Sequence, residues 1–108
     1  MGLKNVPMDA PQPLASLATC RPGQVQSVAF TPMDAPASLV LLAFSAGEGV
    51  SEETYGTDTL YYAAEGTGRI VVEGAVHALA VGEVLCVPAG VMHAVEASTD
   101  YKLLQLNL

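Results

Sequence analysis

The sequence predicts an all-β domain, built either as a sandwich or as a closed barrel. Hydrophobic residues make up 51% of the 108 residues and charged residues only 14%, which suits a single domain with one compact core. Turn-forming residues recur about every 8 to 12 positions through most of the chain. The segments between these turns are short and rich in β-branched and aromatic residues, as the strands of antiparallel sheets are.

The beginning of the chain predicts an arm that precedes the barrel. Residues 1–13 are rich in proline and small side chains and predict an extended segment. Residues 14–19 predict a single helical turn, which the sequence Arg21-Pro22-Gly23 ends. We therefore divide the chain into an N-terminal arm, residues 1–23, and a barrel domain, residues 24–108.

Eight strands are predicted in the barrel domain, separated by turns that contain glycine, proline or aspartate. They cover residues 24–31, 38–45, 59–64, 69–72, 76–81, 84–87, 92–96 and 101–106. The stretch between the second and third of these strands begins with a turn at Gly47 and Gly49 and is rich in acidic side chains. It is either a solvated loop edge or a segment whose side chains face the interior.

The charge of the chain argues against two classes of partner. The net charge is −7, and the four basic residues, Lys4, Arg21, Arg69 and Lys102, are scattered. Binding to nucleic acid or to an anionic membrane surface needs clustered Lys and Arg, so we expect neither. No apolar run approaches the ~18 residues of a membrane span. The N-terminus shows no hydrophobic stretch typical of a signal peptide, and a cytoplasmic location is the expectation.

The two cysteines and His77 are expected to carry little chemistry. Cys20 and Cys86 lack the C-x-x-C spacing, so both are predicted to be reduced thiols. Cys86 is expected to be a small buried residue of its strand, and His77 is expected to be packed or half-exposed in another. No G-x-S-x-G elbow, Walker-type glycine loop or Cys/His cluster is present, which leaves hydrolase, nucleotide-binding and zinc-finger functions without support.

Two segments of the barrel domain resemble the paired motifs of the cupin family. Residues 47–66 read G-x5-E-x-Y-x3-T-x6-G, and residues 82–93 read G-x5-P-x-G-x2-H. The cupin motifs are G-x5-H-x-H-x3,4-E-x6-G and G-x5-P-x-G-x2-H-x3-N, so the glycines, the proline and the second-motif histidine are in register. The chain thus resembles a small single-domain bacterial cupin. The resemblance implies an antiparallel jelly-roll β-barrel that forms a homodimer.

The same resemblance indicates a degenerate metal site. Where the family has His, His and Glu in the first motif, this chain has Glu53, Tyr55 and Thr59. Three imidazoles and a carboxylate normally hold iron, manganese, nickel or zinc. An ordinary tyrosine has a pKa near ~10, so Tyr55 is a hydrogen-bond donor rather than a ligand at neutral pH. We therefore expect no metal cofactor. The alternative is a metal bound by Glu53, Asp58 and His93, with Asp58 in the place of Thr59.

The residues in register with the motifs are also the candidate pocket. Side chains alternate along a strand, so Glu53 and Tyr55 share a face, which the resemblance places opposite His93. Thr59 and Met92 complete the predicted ligand pocket. An inward-facing Glu53 needs a partner, and protonated His93 is the expected one. This ion pair would either replace the metal structurally or act as a catalytic acid–base couple.

Three functions remain open at this stage. The first is a non-catalytic barrel that binds a small molecule or serves as a sensor or accessory module, which the missing ligands favour. The second is an enzyme, either metal-dependent with unusual ligands or a metal-free isomerase, epimerase or lyase that uses Glu53 and His93. The third is a structural dimer with a vestigial pocket. The expected partners are a second copy of the chain and a small molecule.

Overall fold

Two facing antiparallel sheets form the protein, as seen in a computed structural model that describes residues 2–108. Within these residues a 3₁₀ turn at Leu14–Leu17 precedes nine strands. The strands are β1 (Val25–Ala29), β2 (Ser38–Phe44), β3 (Gly49–Glu53), β4 (Thr59–Glu65), β5 (Gly68–Val72), β6 (Ala75–Ala78), β7 (Val84–Val87), β8 (His93–Ala97) and β9 (Tyr101–Asn107).

The strand order interleaves distant parts of the chain. One sheet has the order β1-β2-β9-β4-β7 and the other the order β3-β8-β5-β6, and every neighbouring pair is antiparallel. The last strand, β9, lies in the middle of the five-stranded sheet between β2 and β4. This arrangement confirms the predicted all-β jelly-roll barrel. The homodimer stays a prediction.

The eight predicted strands are all present, with ends that differ by at most three residues. β3 is the strand that the sequence did not predict. Its sequence Gly-Val-Ser-Glu-Glu has low β-propensity, and most of its residues are exposed. Pairing with β8 holds it in the sheet, which is a tertiary interaction that local propensity does not report.

The main core lies between the two sheets. It contains buried aliphatic and aromatic side chains from both, namely Phe44, Tyr61, Ala63, Ile70, Leu79, Val87, Val95, Ala97, Tyr101 and Leu103. Tyr101 is fully buried, and its hydroxyl donates a hydrogen bond of 2.6 Å to the carbonyl of Leu79. Burial raises the pKa of Tyr101 to about 12, and the negative charge of Glu83 adds to that rise.

A second apolar cluster joins the arm to the outer face of the five-stranded sheet. Its buried members are Ala18, Phe30, Leu41 and Ala43, and apolar residues of the arm pack against them. The backbone N–H of Lys4 donates to the Phe30 carbonyl at 2.9 Å. The arm therefore covers part of the barrel domain's own outer face.

The side of the sheet that Cys86 faces was predicted wrongly. In β7 the side chain of Val87 is buried in the core, so the pleat turns Cys86 outward, where it is exposed. Both Cys86 and Cys20 are free thiols, as predicted. His77 was also predicted wrongly: it is exposed, neither packed nor half-exposed, because β6 is an edge strand whose residues are all exposed. Within residues 2–108, no helix combines the length and the hydrophobicity that a membrane-spanning helix needs.

The buried hydroxyl of Tyr101 gives a prediction with a pH signature. We expect Tyr101→Phe to lower the free energy of unfolding by about 1–3 kcal/mol near neutral pH, because the Leu79 carbonyl loses its buried donor. The folded-state pKa of about 12 exceeds the ordinary value of 10, so this contribution is fully present below about pH 10 and is lost as the pH rises through about 12. Denaturant unfolding at a series of pH values should therefore show the gap between the two proteins narrowing over that window.

Tyr62→Phe is the matched control, because Tyr62 is half-buried on the outer face of β4. We expect its effect on the free energy of unfolding to be small and constant over the same pH range. A gap between wild type and Tyr101→Phe that stays constant above pH 10 would contradict the account.

Candidate functional site

A cavity of about 180 Å³ lies between the two sheets. Its apolar wall is formed mainly by Leu42, Val50 and Val95. Its polar groups come from both sheets and from the loop after β3, and they are Glu53, Tyr55, Tyr61, His93 and Gln105. Three residues of the predicted pocket, Glu53, Tyr55 and His93, thus line the cavity together.

A β-bulge in β3 turns Glu53 toward the cavity. Val50 is opposite Val95 and Glu53 is opposite His93. Three residue steps along β3 therefore match two residue steps along β8. A regular pleat would put Val50 and Glu53 on opposite faces, since they are an odd number of residues apart. The extra residue resets the alternation, and both side chains line the cavity.

The imidazole of His93 is held at both ring nitrogens. The side chain is buried, with Nδ1 at 3.1 Å from the Val91 carbonyl oxygen and Nε2 at 2.8 Å from the Tyr61 hydroxyl. A carbonyl only accepts, so Nδ1 carries a proton, and in the neutral ring Nε2 accepts a hydrogen bond from Tyr61. Burial raises the pKa of Tyr61 far above its usual range, and the nearby Tyr55 and Glu53 add to that rise. Tyr61 is therefore a donor at any physiological pH.

The carboxylate of Glu53 accepts a hydrogen bond from the hydroxyl of Tyr55. Burial raises the pKa of Tyr55, and the hydrogen bond to Glu53 raises it further, while the Gln105 side chain opposes the rise. The ring centroids of Tyr55 and Tyr61 lie 5.8 and 5.6 Å from that of His93. The predicted Glu53–His93 ion pair is therefore wrong: each residue is bonded to a tyrosine instead, because a phenol reaches each of them.

Two hydrogen bonds fix the loop after β3 against the loop before β8. The backbone N–H of Gly90 donates to the Tyr55 carbonyl at 2.8 Å, and that of Ala89 donates to the Asp58 carboxylate at 2.9 Å. Gly90 has a φ of +80°, a conformation that favours glycine. The P-x-G segment thus positions Tyr55 on one side of the cavity and leads into His93 on the other.

The remaining predicted site residues lie outside the cavity lining. Thr59 is buried, and its hydroxyl accepts a hydrogen bond of 2.6 Å from the Asn107 side chain. Met92 is 42% exposed. Asp58 is exposed and bonded to the backbone of Ala89, so it does not join Glu53 and His93 at the cavity as the alternative metal site requires.

Two polar lining residues, Tyr61 and Gln105, were not among the predicted site residues. Tyr61 lies two residues after Thr59 in β4 and shares its inward face, so the pleat could have indicated it. Gln105 interrupts the apolar run of β9 at an inward position, two residues after the buried Leu103. A polar residue at an inward position between apolar residues indicates a pocket, and the predicted site did not include it.

Comparison with known proteins identifies the family. The Cupin domain family matches residues 40–106, which is more than half of the chain. The chain therefore belongs to the cupin family, as the two motifs predict. No curated protein matches the chain significantly.

Solved structures agree with this assignment. A cupin superfamily protein from Desulfitobacterium hafniense is 40% identical, with a TM-score of 0.94 over 98% of this chain and 96% of that chain. A conserved protein of unknown function from Streptococcus pyogenes is 16% identical, with a TM-score of 0.92 over 100% of this chain and 94% of that chain. The salicylate 1,2-dioxygenase of Pseudaminobacter salicylatoxidans is 18% identical, with a TM-score of 0.70 over 77% of this chain and 26% of the enzyme. The last two similarities show the fold alone.

The side chains present do not fit the metal that the cupin family often binds. Within residues 2–108, no group of three or more His, Cys, Asp or Glu side chains is placed to hold an ion. The Nε2 lone pair of His93 accepts from Tyr61, and the Glu53 carboxylate accepts from Tyr55. Thr59, at the position of the family's glutamate, is bonded to Asn107. This donor set is one imidazole and one carboxylate, fewer than a transition metal in a protein normally requires.

The hydrogen bonds of His93 predict its tautomer. In mildly alkaline buffer, the neutral ring should carry its proton on Nδ1, as judged by the ¹⁵N shifts of the two ring nitrogens in a long-range ¹H–¹⁵N correlation spectrum. The exposed His77 is the internal control and should show the mixture of tautomers of a solvated ring. A proton on Nε2 of the neutral His93 ring would overturn the assignment of Tyr61 as the donor.

Proposed function

We propose that this cupin is a metal-free binding protein whose cavity holds one small, weakly polar molecule, in a sensor or accessory role. The observation that carries the proposal is the pairing of both candidate metal ligands with tyrosine hydroxyls, Tyr61 with His93 and Tyr55 with Glu53. These bonds keep the polar wall of the cavity ordered without an ion. The opposite wall is apolar, as in most small-molecule sites.

The size of the cavity limits the ligand. A water molecule takes up about 30 Å³ of liquid, so a cavity of about 180 Å³ has room for about six heavy atoms. Drug-sized ligands occupy pockets of about 300–1,000 Å³. The ligand class is therefore a small metabolite or fragment of one.

The site is suited to binding because its groups are fixed before the ligand arrives. Tyr61 lies in β4 and His93 lies in β8, which belong to the two facing sheets. The loop that contains Tyr55 is hydrogen-bonded to Gly90. Groups held by strands and by second hydrogen bonds lose little entropy when a ligand binds. This order supports a binding role over a vestigial pocket.

A second candidate is a metal-free enzyme of the isomerase, epimerase or lyase class. The observation that favours it is the register of β3 and β8, which sets Glu53 directly opposite His93 at one cavity. The carboxylate could take a proton from a substrate carbon, and the Tyr61–His93 pair could deliver one to another position. The same cavity would serve both functions, and a measurement of whether a bound compound is turned over distinguishes the enzyme from the binding protein.

Elemental analysis of untagged protein purified without chelator tests the metal-free part of the proposal. We expect iron, manganese, nickel and zinc far below one atom per chain, both in wild type and in His93→Ala, with no gain after incubation with each metal. Near-stoichiometric metal in wild type that is absent from His93→Ala would refute it.

A thermal-shift screen with small compounds tests the binding part. Compounds that bind the cavity should raise the melting temperature of wild type but not of Leu42→Phe, in which a larger side chain fills the space. Val76→Phe is the matched control, because Val76 is 63% exposed in β6 and away from the cavity lining. Compounds that stabilise all three proteins equally, or none of them, would point to the vestigial pocket. Consumption of a bound compound that stops in His93→Ala would favour the enzyme.

A further inference from the structure

The hydrogen-bonding groups of the cavity are unbalanced, with acceptors left over. The proton of Tyr55 goes to Glu53, the proton of Tyr61 goes to Nε2 of His93, and the Nδ1 proton of His93 goes to the Val91 carbonyl. The side-chain amide of Gln105 donates to Asn107 Oδ1 at 2.8 Å. Each phenol oxygen keeps acceptor capacity after it has donated, and a carboxylate has about four acceptor positions, of which Tyr55 uses one. The polar wall therefore offers free oxygen acceptors to a ligand, whereas these donors are already hydrogen-bonded within the protein.

The same wall carries a negative charge without a basic partner. Glu53 lines the cavity, whereas no Lys or Arg among residues 2–108 does. Arg69 is paired with Glu96, and Lys102 is paired with Glu65 on another strand. With a net charge of −7 for the whole chain, the potential around the carboxylate disfavours anionic ligands such as carboxylates and phosphates.

Aromatic rings border the space next to this carboxylate. The ring centroids of Tyr55 and Tyr61 lie 5.8 and 5.6 Å from that of His93, in tilted and edge-on orientations, and all three residues line the cavity. Tyrosine faces attract cations within about 6 Å of the ring centroid. The rest of the lining is aliphatic and suits a short alkyl group.

We propose that the cavity binds a small primary alkylamine in its ammonium form, with the ammonium group against Glu53 and the tyrosine oxygens and the alkyl group against Leu42 and Val50. An ammonium group supplies the positive charge that the wall lacks, together with N–H donors for its excess of oxygen acceptors. This inference rests on the proposed binding function and names the ligand class of the same site.

Matched probes of nearly equal shape test the ligand class. Isobutylamine, isobutanol and isobutyrate share one alkyl group and differ in charge, and tetramethylammonium is a cation without N–H donors. Each is titrated into ¹⁵N-labelled full-length protein while the amide resonances of β3 and β8 are followed. We expect isobutylamine to bind most tightly, tetramethylammonium and isobutanol more weakly, and isobutyrate not measurably.

Two variants locate the charge that is responsible. Glu53→Gln keeps the shape of the side chain and should weaken isobutylamine binding by at least about tenfold, because a charge-assisted hydrogen bond is lost. Glu52→Gln is the matched control, since Glu52 precedes Glu53 in β3 and is exposed like it, but lies outside the cavity lining. It should leave the affinity within about twofold of wild type. Leu42→Phe should abolish the binding of all probes.

The outcomes separate this inference from the function on which it rests. If isobutanol or isobutyrate binds as tightly as isobutylamine, and Leu42→Phe abolishes that binding, the cavity is a ligand site and the ammonium proposal is wrong. An unchanged isobutylamine affinity in Glu53→Gln would overturn it as well. If no probe shifts the β3 and β8 resonances, the ammonium proposal fails, and the compound screen on wild type and Leu42→Phe decides whether the binding function fails with it.

Discussion

The pairing of β3 with β8 is the constraint on which the site depends. It places Glu53 directly opposite His93, and the bulge between Val50 and Glu53 brings the exposed Glu53 side chain to the lining of the cavity. β3 has little intrinsic tendency to form a strand, so this geometry exists only because β8 supplies the hydrogen bonds. A change that loosened β3 would therefore remove one wall of the cavity while leaving the five-stranded sheet intact.

The loops at the mouth of the cavity extend the same constraint. Gly90 binds the backbone of Tyr55, and Ala89 binds the side chain of Asp58, so the segment that leads into His93 also fixes the residues after β3. In this chain the P-x-G-x2-H sequence has a mechanical role as well as a chemical one. This explains how the motif glycines can have their predicted turn conformations around a site that has lost the usual ligands.

The sequence predicted the barrel well and the site in part, for physical reasons. Strands with alternating apolar residues and turns with glycine at positive φ are local features, and both were predicted. The bulge in β3 is not local, because it depends on the register with β8, and no residue type marks it. The ion pair between Glu53 and His93 was expected because only charged groups were considered as partners for charged groups. The hydroxyls of the half-buried Tyr55 and the buried Tyr61 are their partners instead.

Tyrosine hydroxyls in the place of a bound metal ion change the electrostatics of a cupin cavity more than its shape. A bound divalent ion would neutralise a carboxylate beside it, whereas a phenol supplies a proton for a hydrogen bond and no compensating charge. The Glu53 carboxylate therefore lies at the wall of the cavity without a compensating cation, and the tyrosine oxygens add acceptors around it. Water can donate hydrogen bonds to these acceptors where the cavity is open to solvent. A ligand that displaces the water must supply hydrogen-bond donors of its own. A positively charged donor group binds more tightly than a neutral donor group of the same shape.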